Sequence, residues 1–589
     1  MNTLFRIAFG DYEFVLDRTN LTYSLTETVT KTVWATNLSL GWIELKERET
    51  GAIARTDFSD CKLISIAEKM SAAGKRILLG LDAPGGVPVD IYLICGPKEI
   101  QLTVEASRDS KTHLLERVGL LPGLCRVDDT GNLVIPQGEG LLLRSAEVRD
   151  GDRLPVWRSW EGLTMPFFGA CQPASALALI TDSAYATAEL SRHSTQSAST
   201  NWIFLRDPER RRLDIRIILV PDGDYIAIAH AYREKLIGER NHRTLRKKLR
   251  DNPSKAALVG AAFVKVDAHS EGIIQISKYL RLLQDELGMS QAILQLRYNY
   301  GHEIPDGEVP QTFKEIKEAG YYAVVRPVDA QDERLTIEES QQAYGGDTAI
   351  AYVKFTSVPL TTSWWDFMEQ TLAEISKNSS LVSLQGEIGG LDWLAVAADF
   401  TLEMLFNGSQ QSKKSQSVPL LSAIYRDSVV CFSGVSYFDK TFFLKALLRL
   451  NPPYLALPTG IIDGASKEML TTLRPQVAIL CPLHALTFPA FLTAHEFLTP
   501  DFLVEEAHYS DKTYVLINQS ETELYETGEL LLPPGGFYVR HPQFEAHDAL
   551  RVRTVEFSKR AWRVRRSLDG KPLESSGSIE EREFEVSPP

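Results

Sequence analysis

The sequence predicts a multidomain chain that joins all-β and α/β parts. The expected parts are an N-terminal β-sandwich over 1–223, a helical bridge over 224–255, a (β/α)8 TIM-type barrel over 256–500 and a C-terminal β-sandwich over 501–589. Three observations predict this. Up to about residue 220 the text is short alternating runs between turn residues, the mark of strands. After Pro253, apolar runs alternate with amphipathic helical stretches, the mark of β-α units on a parallel sheet. From about Phe502 the alternating β pattern returns.

The length of 589 residues allows three or four domains of ordinary size. With 44% hydrophobic and 24% charged residues the composition is that of a globular protein with room for large cores. Lys plus Arg number 63 against 77 Asp plus Glu, a net charge of −14, which disfavours broad binding to nucleic acid or anionic lipid. The start lacks an apolar signal-type run and no stretch is long and apolar enough to span a membrane, so the expected location is cytoplasmic. The six cysteines are scattered without a C-x-x-C pair, which gives no zinc ribbon or redox pair.

In the first part, runs such as YEFVLD, LTYSLT, KRILLGLD, DIYLICG and LDIRIILV read as strands, and Lys62–Gly74 reads as one surface helix. Helical spacing begins at Asp224 with YIAIAHAYREKLIGE and stops at Asn252-Pro253; the basic cluster from Arg240 to Arg250 reads as a solvated helix face. The strands expected next are AALVGAAFVKV, QAILQLRYNY, YYAVVRPV, TAIAYVKF, SLVSLQGE and, sixth, PLLSAIYRD. The helices between them are expected near 272–286, 310–319, 337–343, 363–377, 393–406 and 441–450. The polar tail from Leu573 is expected to fray.

In such a barrel the chemistry sits at the C-terminal ends of the strands. There the sequence places Tyr300 and His302 after the second strand, Arg326 after the third, and Lys354 with Trp364 and Trp365 after the fourth. Glu387, Asp392 and Trp393 follow the fifth, and Tyr425, Arg426 and Asp427 end the sixth. Carboxylates among aromatic rings are the ingredients of glycoside hydrolysis, where one acid protonates the leaving oxygen and a second acts as nucleophile or activates water. Glu387, at a strand end before a Gly-Gly turn, is the leading acid candidate; Asp392 and Asp427 are candidates for the second carboxylate. Asp392 also fits a helix N-cap, and Asp427 also fits a structural ion pair. The tryptophans fit sugar stacking and packing equally. No nucleotide, serine-hydrolase or zinc-protease motif is present, and no cofactor or metal ligand set is predicted.

These residues carry a resemblance. The order β-supersandwich, bridge, barrel and C-terminal β-domain resembles the glycoside hydrolases of families 101 and 129 and their uncharacterised relatives, which act on α-linked N-acetylgalactosamine. Gly162–Ala170 looks like the late sandwich strand and Ala227–Leu236 like the bridge helix. Tyr300-Gly301-His302 with Pro305-Asp306-Gly307 and Pro310 is similar to the second-strand loop, Val418 through Asp427 to the sixth strand, and Leu532–Phe537 to the closing C-terminal strand. Gly386–Trp393, with Asp399, looks like the segment holding the family's acid/base glutamate, which falls on Glu387. The resemblance implies a glycosidase acting on a carbohydrate, with a catalytically inactive glycan-binding relative as the alternative. The sequence departs at the fourth strand: where the family has its nucleophilic aspartate, this chain reads Ala349–Phe355 with Lys354 and no carboxylate. Arg326 and Arg426 also stand where the family tends to have histidine. Together with Lys354 they predict a cationic pocket suited to an acidic sugar, while the resemblance implies an N-acetylated one.

Overall fold

The computed structural model describes residues 4–71, 74–106, 110–156, 162–183, 186–205, 212–239, 241–268, 276–298, 314–327, 350–354, 381–385, 398–402, 416–434, 440–457 and 467–585. The first part is antiparallel. Leu4–Phe9, Tyr12–Asp17, Thr22–Glu27 and Val33–Ser39 form a four-stranded sheet, followed by sheets of ten and six strands. Alternate residues point to one core, as the period of a strand requires. Leu79, Leu81, Val89 and Ile91 of the ten-stranded sheet meet Leu120, Trp202 and Phe204 of the six-stranded one, and Phe168 lies 4.5 Å from Trp202 between ring centroids. The helix expected over 62–74 is instead the edge strand Lys62–Ser71, paired antiparallel with Gly74–Ala83. On an edge, burial no longer enforces alternation, and Ile64, Ile66 and Met70 lie in solvent, so the apolar spacing carried no structural period.

Two helices come next. Helix α1 (Tyr225–Gly238) is capped by Asp224, whose carboxylate accepts the Ala227 N–H at 2.8 Å, and α2 (Leu245–Asp251) is capped by Thr244. The apolar face of α1 packs on the ten-stranded sheet, with Tyr232 4.7 Å from Phe167. In α2 the solvated reading holds for Arg246, Lys247 and Arg250, but Lys248 is buried.

Eight strands then form one parallel sheet: β1 (Ala262–Ala268), β2 (Ala292–Tyr298), β3 (Tyr322–Pro327), β4 (Ile350–Lys354), β5 (Leu381–Gln385), β6 (Phe400–Leu402), β7 (Val430–Gly434) and β8 (Pro453–Leu457). The ladders run β3-β2-β1-β8-β7-β6-β5-β4, so the first strand pairs with the last, Phe263 opposite Tyr454. Helices α3 (Ile276–Arg281), α4 (Leu420–Tyr425), α5 (Lys440–Leu448) and α6 (Lys467–Thr487) accompany them. Strands β1, β2 and β8 are apolar on both faces, as a covered parallel sheet demands. Val264, Val266 and Leu294 pack on Tyr279, Leu473 and Val477 of the helices. On the other face Phe263, Ile293, Phe400, Phe432 and Tyr454 form a single cluster, with Phe263 5.7–5.8 Å from the other three rings and Leu245, Ala257 and Leu258 beneath.

Two strand assignments are corrected. PLLSAIYRD is α4 and its flank, and the true sixth strand is Phe400–Leu402, inside the stretch expected as a helix over 393–406. All six residues of α4 are buried, so the run shows no helical stripe and mimics a buried strand. Three-residue β6 is too short to show any period.

The last part holds a seven-stranded and a four-stranded antiparallel sheet. The former begins with Leu492–Phe497, ahead of the boundary expected at 500. The tail expected to fray forms the strand Ile579–Glu585, held by charge pairs such as Arg565–Glu581 at 2.9 Å. Among the described residues no helix is long and apolar enough to cross a membrane.

Candidate active site

The parallel sheet has two ends of different character. At the N-terminal end, cations from the bridge enter the protein interior. Lys248 donates to the carbonyls of Ala398 and Ser428, and Lys255 pairs with fully buried Asp399, the residue before β6. Burial pushes the Lys248 ammonium down to about 7, against the opposing pull of Asp399. Asp427 is gripped by Arg233 of α1 through two parallel bonds of 2.7 Å and lies 3.2 Å from His242 Nε2. Burial alone would raise its carboxyl, but the His242 and Arg233 contacts hold it below the usual carboxylate range.

Arg426 serves the same end. Its guanidinium donates to the carbonyls of Arg449 (3.1 Å), Leu450 (3.0 Å), Thr487 (2.6 Å) and Ala490 (2.7 Å), and to the Thr487 hydroxyl (2.8 Å). These are acceptors left over at the C-terminal ends of α5 and α6, where a cation is favoured. Nearby His484 accepts the Gly260 N–H at 3.1 Å; burial, aided by the Arg426 charge, pushes its imidazole down to about 3, so it stays neutral. Tyr425 is 1% exposed and stacks on His242, 6.2 Å between centroids.

The expectation that Tyr425, Arg426 and Asp427 line the site is therefore corrected. They follow α4 and precede β7, at the N-terminal end of the strands, and their polar atoms are spent on packing partners. Of the remaining candidates, Arg326 and Lys354 lie at the C-terminal ends of β3 and β4. Tyr300, His302, Trp364, Trp365, Glu387, Asp392 and Trp393 fall outside the described residues, in segments that follow β2, β4 and β5. The register adds two residues that were not candidates: Asp267 stands opposite Arg297, and Arg297 opposite Arg326, in three adjacent strands. Their signal in the sequence was strand parity, Asp267 and Arg297 each lying four residues beyond interior Phe263 and Ile293.

Among the described residues no cluster of metal-ligating side chains is found. His495 lies 2.7 Å from the Tyr225 hydroxyl and 2.9 Å from Glu505, tying α1 to the C-terminal sheet.

Two outcomes follow. Asp427→Asn leaves Arg233 buried without its counter-charge, an expected loss of about 3–5 kcal/mol, read as a lowered unfolding temperature. Because the folded carboxyl is depressed, the wild-type advantage over Asp427→Asn is present above the ordinary carboxylate range near pH 4 and shrinks as pH falls through the lowered value. For Lys248 the sign is opposite. The unfolded chain binds more protons between about pH 7 and about pH 10, so the urea midpoint of wild type rises relative to Lys248→Met across that window; a pH-independent difference contradicts the assignment.

No family model matches the chain, and none of the curated proteins matches it. Among solved structures it is similar to the alpha-N-acetylgalactosaminidase NagBb from Bifidobacterium bifidum. The ligand-free form has a TM-score of 0.66 at 15% identity, covering 87% of this chain and 98% of that one. The GalNAc and Gal-NHAc-DNJ complexes of the same enzyme each give 0.69 with the same identity and coverage. Over that share of the chain the fold is that of the solved glycosidase, and in fold the chain is its relative.

Proposed function

We propose that the eight parallel strands close into a (β/α)8 barrel and that the chain cleaves a glycosidic bond at their C-terminal ends, with Glu387 as general acid/base. The pairing of β1 with β8 carries this reading, because the order β3-β2-β1-β8-β7-β6-β5-β4 is the circular order of a barrel opened between β3 and β4, and the parallel pairing sets all eight C-terminal ends on one edge. The aromatic cluster contributed by β1, β6, β7 and β8 supports an interior filled by side chains. The fold likeness to an α-N-acetylgalactosaminidase over most of the chain supports the reaction class. Glu387 lies two residues beyond the end of β5, at a position suited to an acid on that edge.

The second carboxylate is the open part of the mechanism. Lys354 ends β4, where the resembling families carry their nucleophile, and an ammonium there neither attacks an anomeric carbon nor stabilises an oxocarbenium-like transition state. Asp427 is committed to Arg233, which leaves Asp392, a more distant base with inversion, or attack by the substrate's own acetamido group. The same lysine favours a second reading, a relative that binds glycan without cleaving it.

A screen with p-nitrophenyl glycosides separates the two. The proposal expects turnover that falls about 100-fold or more in Glu387→Gln with an unchanged unfolding temperature. Glycan binding without turnover supports the second reading, and turnover unaffected by Glu387→Gln refutes the assignment of the acid.

A further inference from the structure

We infer that the N-terminal part carries a carbohydrate site of its own, a groove between helix α1 and the ten-stranded sheet that takes a neutral sugar unit. Its volume of about 430 Å³ lies within the range of about 300–1,000 Å³ usual for small-molecule sites. The lining comes from antiparallel strands, one tight turn and α1, and none of it from the parallel sheet, so the inference does not rest on Glu387.

Strand period builds the groove. Along Glu99–Ala106, Ile100 and Leu102 enter the sandwich core, which turns Glu99 and Gln101 to the opposite face. The same alternation turns Arg216 and Ile218 outward from Arg212–Pro221, where Ile215 and Ile217 are core. The register sets Arg76, Ile94, Gln101 and Arg216 side by side in four adjacent strands. At about 4.8 Å between strands that row is about 14 Å long. Helix α1 is the wall, with Ala231, Glu234 and Lys235 on one face at spacings of three and four. At one end the chain turns through Pro97 and Lys98. The Gly96 N–H closes this turn on the Glu99 carbonyl at 2.9 Å, and the Tyr12 hydroxyl donates to the Gly96 carbonyl. Pro97 fixes its own backbone angle, so this rim is preformed.

The polar groups on the groove are of two kinds. Arg216 and Lys235 are committed: Asp182 and Glu239 pair with both, Lys235–Glu239 at 3.1 Å and Arg216–Asp182 at 3.7 Å, which fastens α1 to the sheet. The side chains of Arg76, Lys98 and Glu234 make no hydrogen bond or ion pair among the described residues, and that of Gln101 bonds only Glu99. Uncommitted donors and acceptors thus line one groove whose floor includes the aliphatic Ile94 and Ile218. A sugar ring matches this composition, because its hydroxyls both donate and accept while its C–H faces are apolar. Carboxylates and cations both line the groove, so a charged ligand meets its own sign as well as the opposite one. No aromatic ring is part of the lining, which removes stacking and sets the expected dissociation constant on the order of 1 mM for one sugar unit.

The test uses the full chain and the methyl glycosides of glucose, galactose, N-acetylglucosamine and N-acetylgalactosamine, with methyl galacturonide and methyl glucosaminide as charged controls. Calorimetry reads affinity and amide hydrogen exchange reads place. The expected result is that at least one neutral member binds and slows exchange within 94–101, 216–218 or 231–235. Its affinity should fall at least about fivefold in Gln101→Ala and in Glu234→Ala, with the unfolding temperature unchanged. If either variant is destabilised, Arg76→Ala, at an exposed position, takes its place. Absence of binding by every neutral member overturns the inference, and so does binding that protects none of these segments and ignores the substitutions. A preference of about tenfold or more for a charged control overturns the neutral class. Turnover of p-nitrophenyl glycosides that Glu387→Gln abolishes, without binding in the groove, leaves the glycosidase reading standing while this inference falls. Binding in the groove without turnover of any glycoside leaves this inference standing and refutes cleavage.

Discussion

The pairing of the first parallel strand with the eighth is the constraint on which the rest of the structure depends. A sheet of parallel strands buries both faces, so its helices and its neighbouring sheets must be arranged around it. Joining Phe263 to Tyr454 across that ladder assigns the two faces different tasks. One face meets α3 and α6, and the other gathers phenylalanine and tyrosine rings from separate stretches of the chain into one cluster. At the N-terminal end of the sheet the buried carboxylates Asp399 and Asp427 are paired with Lys255 and Arg233.

Buried polar contacts tie the parts of the chain together. Helix α1 reaches Asp427 through Arg233, the C-terminal sheet through Tyr225 and His495, and the ten-stranded sheet through Tyr232. A buried ion pair between Glu139 and Arg449 joins the N-terminal part to the end of α5. Asp548, fully buried, binds Arg560 at 2.9 Å and Lys440 of α5 at 2.8 Å. Buried charges are costly unless paired and hydrogen-bonded, and here they are paired across segment boundaries. The bridge thus holds the antiparallel parts against the parallel sheet.

How much was legible in the sequence follows from what each residue's burial depends on. Tyr12–Asp17 and Thr22–Glu27 alternate because one face meets a core, so their strands were plain from the text. Lys62–Ser71 misled because an edge strand has no partner on one side. PLLSAIYRD misled because a helix buried all round loses its stripe, and that single error carried Tyr425, Arg426 and Asp427 to the wrong end of the sheet. Short β6 left no period to read, so the segment around Phe400 passed for helix. Arg326 and Lys354 were legible as strand-end residues. The significance of Asp267 and Arg297 was not, because it lies in the register between strands, which no local pattern encodes.

The central claim is that glycan binds where the parallel strands end. Amide hydrogen exchange with and without saturating p-nitrophenyl α-N-acetylgalactosaminide, or its galacturonide counterpart, tests this most directly. The account predicts slowed exchange in the segments that follow β2, β4 and β5, including 299–313 and 386–397, with no change around Lys248, Lys255 and Asp427. Protection confined to that opposite end, or to the antiparallel sheets, would contradict it.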